Sequence, residues 1–288
     1  RQEYERVKKV KADCFFALQV EEKFALLFDN YSEFEFELLR LAECGLIWRD
    51  RARDHSDAMR ERLLLDRRLV NLLTSCRLYL DQSEHGLSRL FGNQSSALTT
   101  FKQCRSKQYD SVWGYRFMEA LRNHVQHSAL ASNSIAHACF ISCGVGENYT
   151  EHTVYPTASI KVLKENPDFK QTVLDEIGDE KDAIDLRGPV REYISCFVTL
   201  HSELRNIISS QFAVARGEYL AAVQRYHTIA GEKAFGGTLR ELRDDGTKVN
   251  EIPLVTHFID YYDKLLAWNT VNDKIRCSTA SNTDQKRD

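Results

Sequence analysis

An arginine and a histidine five positions apart are the side chains of this sequence best suited to chemistry: Arg122 and His127, in the segment SVWGYRFMEALRNHVQHSALA. An imidazole moves protons near neutral pH. A guanidinium offers a phosphate group a fixed, planar fork of hydrogen-bond donors. Asn123 lies four positions before His127, and Glu119 lies three positions before Arg122. We therefore take Arg122, Asn123 and His127 as candidate catalytic residues and Glu119 as a residue that supports them.

A helix must present these side chains. At about 100° of rotation per residue, the polar residues of the segment fall on one side of the helix. The apolar residues fall on the other side: Phe117, Met118, Leu121 and Val125. His124 falls toward the apolar edge, which predicts a packing role for it. A solvated helix face without any chemistry would show the same pattern, so periodicity alone leaves both interpretations open.

The composition favours helices. The chain has 288 residues but only 13 Gly and 4 Pro, fewer than a turn-rich fold uses. Its 39 basic and 42 acidic residues give a formal charge of −3, so the protein does not coat nucleic acid by bulk attraction and any such contact must be local. No apolar stretch approaches the roughly 18 residues of a membrane span, so we expect no membrane partner.

The fold class predicted is mainly all-α, an antiparallel helical bundle with a small β-hairpin decoration. We divide the chain into a helical segment at 1–30, a bundle at 31–230 and a C-terminal part at 231–288. The bundle contains an irregular insertion near 143–185, where turn signals cluster. The C-terminal part holds a hairpin, a helix and a polar tail.

Individual elements follow from local signals. Apolar stripes predict helices at 57–82, 110–131 and 189–215. Ser32 and Glu35 have the spacing of a capping box, which predicts that a new helix begins there, and Asp110 or Ser111 is the expected cap of the helix at 110–131. Asp245-Gly246 is a typical turn for a hairpin over 238–252.

The eight cysteines include no CxxC pair, and we interpret them as reduced, buried thiols of a cytoplasmic protein. Cys139 and Cys143 would share one helix face near His137. A metal site needs four convergent ligands, so two core thiols are the favoured interpretation. The sequence has no P-loop, HExxH or EF-hand pattern, and we expect neither a cofactor nor a metal.

The motif and its flanks resemble the HEPN superfamily of all-helical ribonucleases and nucleotide-binding modules. The family motif is an arginine, a polar residue, three further residues and a histidine, and Arg122-Asn123-His124-Val125-Gln126-His127 fits it. The phrases YRFMEALRNHVQH and RRLVNLLTSCRLYLDQ look like those of bacterial HEPN-type proteins. The resemblance extends over residues 31–215 and implies a bundle of HEPN type.

The resemblance also implies an activity. HEPN nucleases cut RNA without metal: the ribose 2′-hydroxyl attacks the adjacent phosphorus and leaves a 2′,3′-cyclic phosphate. It implies a homodimer in which two motifs complete one active site. Our leading hypothesis is a toxin or antiphage-defence effector, with an inhibitor or antitoxin as its partner. Basic side chains that could lie along the RNA path are Arg60, Arg67, Lys102, Arg105, Arg187 and Arg191.

Two other functions stay open at this point. A HEPN module can keep the fold without the chemistry and bind nucleotide or RNA, or dock a partner protein. A structural bundle in which the motif is accidental would do neither. Cleavage of RNA in the presence of a chelator separates the first function from both alternatives.

Overall fold

The computed structural model describes residues 2–48, 54–143, 148–177, 181–231, 236–271 and 279–284. This part of the chain is mostly helical, as the composition predicts. Its helices are α1 (Gln2–Ile47), α2 (His55–Phe91), α3 (Ser96–Ser111), α4 (Trp113–His127), α5 (Ile160–Glu165), α6 (Gln171–Asp175), α7 (Arg187–Ala230) and α8 (His257–Trp268). Its strands are β1 (Ser134–Cys143), β2 (Asn148–Ser159), β3 (Ala183–Asp185), β4 (Gly237–Leu242), β5 (Lys248–Leu254) and β6 (Thr279–Asp284).

Helix α1 runs without interruption through the point where a new helix was predicted. The capping box at Ser32 and Glu35 is therefore wrong. Glu35 is buried and accepts two hydrogen bonds of 2.8 Å from Arg191, so its carboxylate is not available to cap a helix start. Phe34 and Leu38 are fully buried whereas Phe36 is exposed, which is helical and not strand spacing.

The next helices differ from the prediction mainly at their ends. Helix α2 begins after Asp54, whose carboxylate accepts hydrogen bonds from the backbone N–H groups of Ser56 and Asp57, and it continues to Phe91. The predicted cap at Asp110 or Ser111 is wrong. The Ser111 hydroxyl donates to the carbonyl of Lys107 and so belongs to α3, and α4 starts after Val112 without a side-chain cap.

The region after α4 forms a small antiparallel sheet. Strand β2 pairs with β1 on one side and with β3 and β6 on the other. The suggestion that Cys139 and Cys143 share a helix face is wrong, because both lie in β1. Cys139 is exposed, so the prediction of a buried thiol fails there, while it is confirmed for Cys14, Cys76 and Cys196.

The predicted hairpin near the C-terminus is confirmed. Strands β4 and β5 pair antiparallel, with Leu239 opposite Ile252. Gly246 has a φ of 80°, which glycine adopts without steric cost, and Asp245 accepts a hydrogen bond from the backbone N–H of Thr247. The final helix predicted from THFIDYYDKLLAWN is α8.

The contacts divide the chain into two compact units. Unit 1 comprises Arg1–Ala25, Tyr79–Gln103 and Leu200–Val271, and unit 2 comprises Leu26–Leu78, Cys104–Thr199 and Asn272–Asp288. In unit 1, α1 and α7 run antiparallel, because partners later in α1 meet residues earlier in α7. The pairs that show this are Glu3 with Arg225, Asp13 with Gln211, and Glu21 with Arg205. All the candidate catalytic residues belong to unit 2.

Two glycines of unit 1 give a matched test of its packing. A Cβ on Gly86 would lie 1.9 Å from the Phe16 ring, whereas a Cβ on the exposed Gly217 of α7 would meet nothing within 4 Å. We expect Gly86→Ala to lower the free energy of unfolding by about 1–3 kcal/mol through overpacking. Gly217→Ala should raise it by about 0.5–1 kcal/mol through helix propensity. Urea titration of both variants measures this, and equal effects would contradict the packing described.

Candidate functional site

Helix α4 is held in unit 2 by its apolar face, as the sequence predicts. Phe117, Met118 and Leu121 are fully buried. The start of the helix is fixed by the carboxylate of Glu192, which accepts a hydrogen bond of 2.9 Å from the backbone N–H of Gly114. This seating leaves one side of α4 to carry the polar residues of the motif.

The end of α4 is fastened in two ways. His124 is buried, so the packing role predicted for it is confirmed. Its ring Nδ1 lies 2.8 Å from the amide nitrogen of Asn166, and burial lowers the pKa of the imidazole. Beyond the helix, the backbone N–H of Ser132 donates to Asp66, and Arg62 donates to the Ser132 carbonyl. The chain that follows the motif is thus tied to α2.

Arg122 lies flat on α4 and is only 14% exposed. Its Nη2 donates to the side-chain oxygen of Asn123 at 2.7 Å, and its Nη1 donates to that of Gln126 at 2.8 Å. Its Nε lies 3.8 Å from Oε2 of Glu119 and makes no hydrogen bond of its own. The two hydrogen bonds of the guanidinium therefore go to neutral amides.

Glu119 is held by a residue that the sequence did not point to. The hydroxyl of Tyr193, in α7, donates to Oε1 of Glu119 at 2.5 Å. Glu119 thus has one oxygen on Tyr193 and the other facing Arg122. The two residues are 74 positions apart in the chain, and no local pattern links them.

His127 is the last residue of α4 and is exposed. Among the described residues, its ring has no hydrogen bond or ion pair. Residues 126–130 are all exposed, so the ring lies on an open stretch of surface. The structure brings Glu119, Arg122 and Asn123 together, while His127 lies about 7.5 Å further along the helix axis than Arg122 at a rise of about 1.5 Å per residue.

The six basic residues suggested for an RNA path fall into two groups. Arg60 and Arg67 are exposed on α2, and Arg60 borders a cleft of about 220 Å³ that Trp48 also lines. Lys102, in unit 1, is half-exposed and lies 3.8 Å from Glu84.

The other three are more enclosed. Arg105 is partly buried. Arg187 makes a bidentate ion pair with Asp185, and Arg191 makes one with Glu35. Because their charges are paired with carboxylates within the protein, Arg187 and Arg191 are less suited to bind a phosphate than the exposed Arg60 and Arg67.

Two buried thiols and the search for metal ligands point to no other reactive site among the described residues. Burial raises the pKa of Cys14 to about 11 and that of Cys196 to about 12, so both stay protonated and unreactive near neutral pH. No group of three or more His, Cys, Asp or Glu side chains within the described ranges is placed to hold a metal ion. None of the described helices combines the length and apolar character that a membrane span requires.

No protein-family model, curated protein or solved structure matches the chain. The assignment of function therefore depends on the residues of α4 and their surroundings.

Proposed function

We propose that the protein is a metal-independent endoribonuclease whose active site is built from the α4 motifs of two copies of the chain. The observation that carries the proposal is the combination of an exposed His127 with an Arg122 whose fork bonds to neutral oxygens. His127 presents an unengaged ring on the surface, and Arg122 lies in the same helix with its fork bonded to neutral oxygens. These are the two side chains that an RNA-cleaving site of this kind uses.

The partners of Arg122 favour phosphate binding. Arg187 and Arg191 give their forks to carboxylates, which neutralise them. Arg122 instead gives both Nη atoms to the amide oxygens of Asn123 and Gln126. Its one carboxylate neighbour among the described residues, Glu119, lies 3.8 Å away on the Nε side without a hydrogen bond, so the Nη fork itself is not paired with an anion. A phosphate oxygen can replace an amide oxygen at the fork with a gain in Coulomb energy, because hydrogen bonds to charged groups are the stronger ones.

The reaction needs a base and an acid. One His127 removes the proton of the ribose 2′-hydroxyl, whose oxygen then attacks the adjacent phosphorus. The bond from phosphorus to the 5′-oxygen breaks, and a second imidazole gives that oxygen a proton. Each chain supplies one His127, so two copies complete the site, and Arg122 stabilises the charge on the pentavalent phosphorus.

Asn123 and two surface arginines complete the proposed site. Asn123 holds one arm of the Arg122 fork in place until the phosphate arrives. Arg60 and Arg67 are the exposed cations of unit 2 that we assign to the RNA backbone. An unregulated ribonuclease damages the RNA of its own cell, so we propose that a protein inhibitor or antitoxin controls it in the cytoplasm, as in a toxin or a defence effector.

Cleavage in a chelator tests the proposal directly. We expect the purified protein to cut end-labelled single-stranded RNA in EDTA at the rate seen without it, because no step uses a metal. The 5′ fragments should end in a 2′,3′-cyclic phosphate, which acid opening and phosphatase treatment identify. An all-2′-O-methyl RNA of the same sequence should stay intact. Cleavage that EDTA abolishes, or products with a 3′-hydroxyl, would overturn the mechanism.

One observation favours a second candidate, a non-catalytic module that binds RNA or nucleotide. His127 lies about 7.5 Å further along the helix axis than Arg122, and no described residue orients its ring, so Arg122 could bind a phosphate without a base held beside it. Such a module would retain the 2′-O-methyl RNA and also the unmodified RNA without cutting either. Filter binding on the same two RNAs separates the candidates.

A further inference from the structure

We propose that Tyr193 is a positioning residue of the Arg122 site, acting through Glu119. The inference rests on the proposed function for its effect on catalysis, whereas its effect on Arg122 can be measured without any activity. Tyr193 lies outside the motif, in a different helix, and nothing in its own sequence context marks it.

The contacts form a chain of three side chains. Tyr193 is fully buried in the core of unit 2 and donates its hydroxyl to Oε1 of Glu119 at 2.5 Å. Oε2 of the same carboxylate lies 3.8 Å from Nε of Arg122. A carboxylate with one oxygen held by a rigid phenol has little freedom to rotate, so the position of Oε2 is set from the core.

The fixed position of the Glu119 carboxylate affects the Nε side of Arg122. That atom is buried and has no hydrogen bond, while both Nη atoms are bonded along the helix. The carboxylate of Glu119 is the charge that faces Nε and keeps the guanidinium plane from tilting. Without the Tyr193 hydroxyl, the Glu119 carboxylate can rotate toward solvent, or it can form a direct ion pair with Arg122 that moves the guanidinium.

A neighbouring tyrosine provides a natural comparison. Tyr115 is also buried, and its ring lies 5.2 Å from that of Tyr193. Its hydroxyl has no hydrogen-bond partner among the described residues, whereas that of Tyr193 has Glu119. Burial, and then the charge of Glu119, raise the pKa of Tyr193 far above its ordinary value, so its hydroxyl keeps its proton and remains a donor near neutral pH.

The effect on catalysis should lie in the chemical step. Ground-state RNA binding depends on many backbone contacts, but the pentavalent phosphorus depends on the exact placement of one guanidinium. A tilted fork should therefore lower kcat and leave KM nearly unchanged. This split distinguishes positioning from a general loss of structure, which would reduce the amount of active enzyme and the stability together.

The kinetic experiment compares Tyr193→Phe with Tyr115→Phe. Each variant removes one buried hydroxyl and keeps the ring. We expect kcat for RNA cleavage to fall about 10-fold in Tyr193→Phe, with KM within about twofold, and to stay within about twofold in Tyr115→Phe. In an Arg122→Lys background, which lacks Nε, Tyr193→Phe should have no further effect. Equal kcat values for the two phenylalanine variants, or the same 10-fold loss in the Lys background, would overturn the proposal.

A spectroscopic experiment separates this inference from the proposed function. The Nε–H resonance of Arg122 can be assigned in a ¹⁵N spectrum by its absence in Arg122→Lys. We expect Tyr193→Phe to shift or broaden that resonance and Tyr115→Phe to leave it in place. If wild-type protein cuts no RNA but the resonance responds in this way, the nuclease proposal fails and the positioning role stands. If the resonance is the same in both variants, the positioning role fails whatever the activity.

Discussion

Replacing His127 with alanine is expected to lower the rate of RNA cleavage about 10²–10⁴-fold, the usual effect of losing a general acid or base. The loss should appear in kcat, because the imidazole moves protons in the chemical step and contributes little to RNA binding. The fold should be unaffected, since the ring is exposed and bonds to no other described residue. Single-turnover cleavage of end-labelled RNA in EDTA, together with a urea titration, measures both quantities.

A matched histidine and a small molecule serve as controls. His85 is also exposed on a helix, and His85→Ala should cut RNA at the wild-type rate. Added imidazole should restore part of the activity of His127→Ala, because the surface position of the side chain leaves room for a diffusible base. Wild-type cleavage by His127→Ala would show that another group moves the protons, and the catalytic role proposed for His127 would be wrong.

The helix that carries the motif could be predicted from sequence because its signal is local. The helical periodicity of the α4 segment correctly places Phe117, Met118 and Leu121 in the core and His124 at the edge of the core. Such a pattern depends only on helical rotation and on which residues are apolar. The same periodicity places Arg122 on the polar side, but it does not show that the side chain is only 14% exposed, because that depends on which neighbours it bonds to.

Contacts between distant segments account for what the sequence did not show. Glu35 has the spacing of a helix cap, yet Arg191, 156 positions later, takes its carboxylate. Tyr193 reaches Glu119 across 74 positions. Strand β1 contains a short apolar run, which is compatible with either a helix or a strand, and its pairing with β2 decides between them. In each case tertiary structure overrides a weak local preference.

A buried ionic network in unit 1 also joins residues that are far apart in the sequence. No sequence motif marks His201, but the residue lies in the core, and its ring stacks on that of Phe24 with 3.8 Å between the ring centroids. Its Nδ1 is 3.0 Å from the Tyr79 hydroxyl, and its Nε2 is 3.3 Å from a carboxylate oxygen of Glu21. Glu21 also accepts hydrogen bonds from Arg205 at 2.8 and 2.6 Å and from Asn269 at 2.8 Å.

Glu21 is the residue on which this network depends. Burial alone would raise its pKa, but the nearby His201 ring and the hydrogen bonds from Arg205 and Asn269 outweigh burial and lower the pKa to about 2. Burial lowers the pKa of His201, so the imidazole stays neutral in the folded protein. The folded state therefore resists taking up a proton at both groups, which an unfolded chain would accept at the ordinary values of about 4.5 and 6.5.

The sign of the pH dependence follows from this comparison. Where the unfolded chain binds more protons than the folded one, stability falls as the pH falls. The contribution of His201 should begin to disappear as the pH drops below 6.5, and that of Glu21 should be lost between pH 4.5 and about 2. Unfolding followed by tryptophan fluorescence from pH 7 to pH 3 should show a falling midpoint, and the slope below pH 4.5 should be smaller in a Glu21 variant.

Glu21→Gln is expected to lower the free energy of unfolding by about 3–5 kcal/mol, because it leaves the Arg205 charge partly buried without an anion. Asp263→Asn is the matched control. Asp263 also accepts two hydrogen bonds from one arginine, Arg216, in the same unit, but its carboxylate is 45% exposed, whereas that of Glu21 is 1% exposed. We expect about 1 kcal/mol or less for that variant, since water screens and replaces an exposed pair. Equilibrium urea titrations at pH 7 compare the two, and a loss for Glu21→Gln no larger than for Asp263→Asn would show that the buried network does not stabilise unit 1.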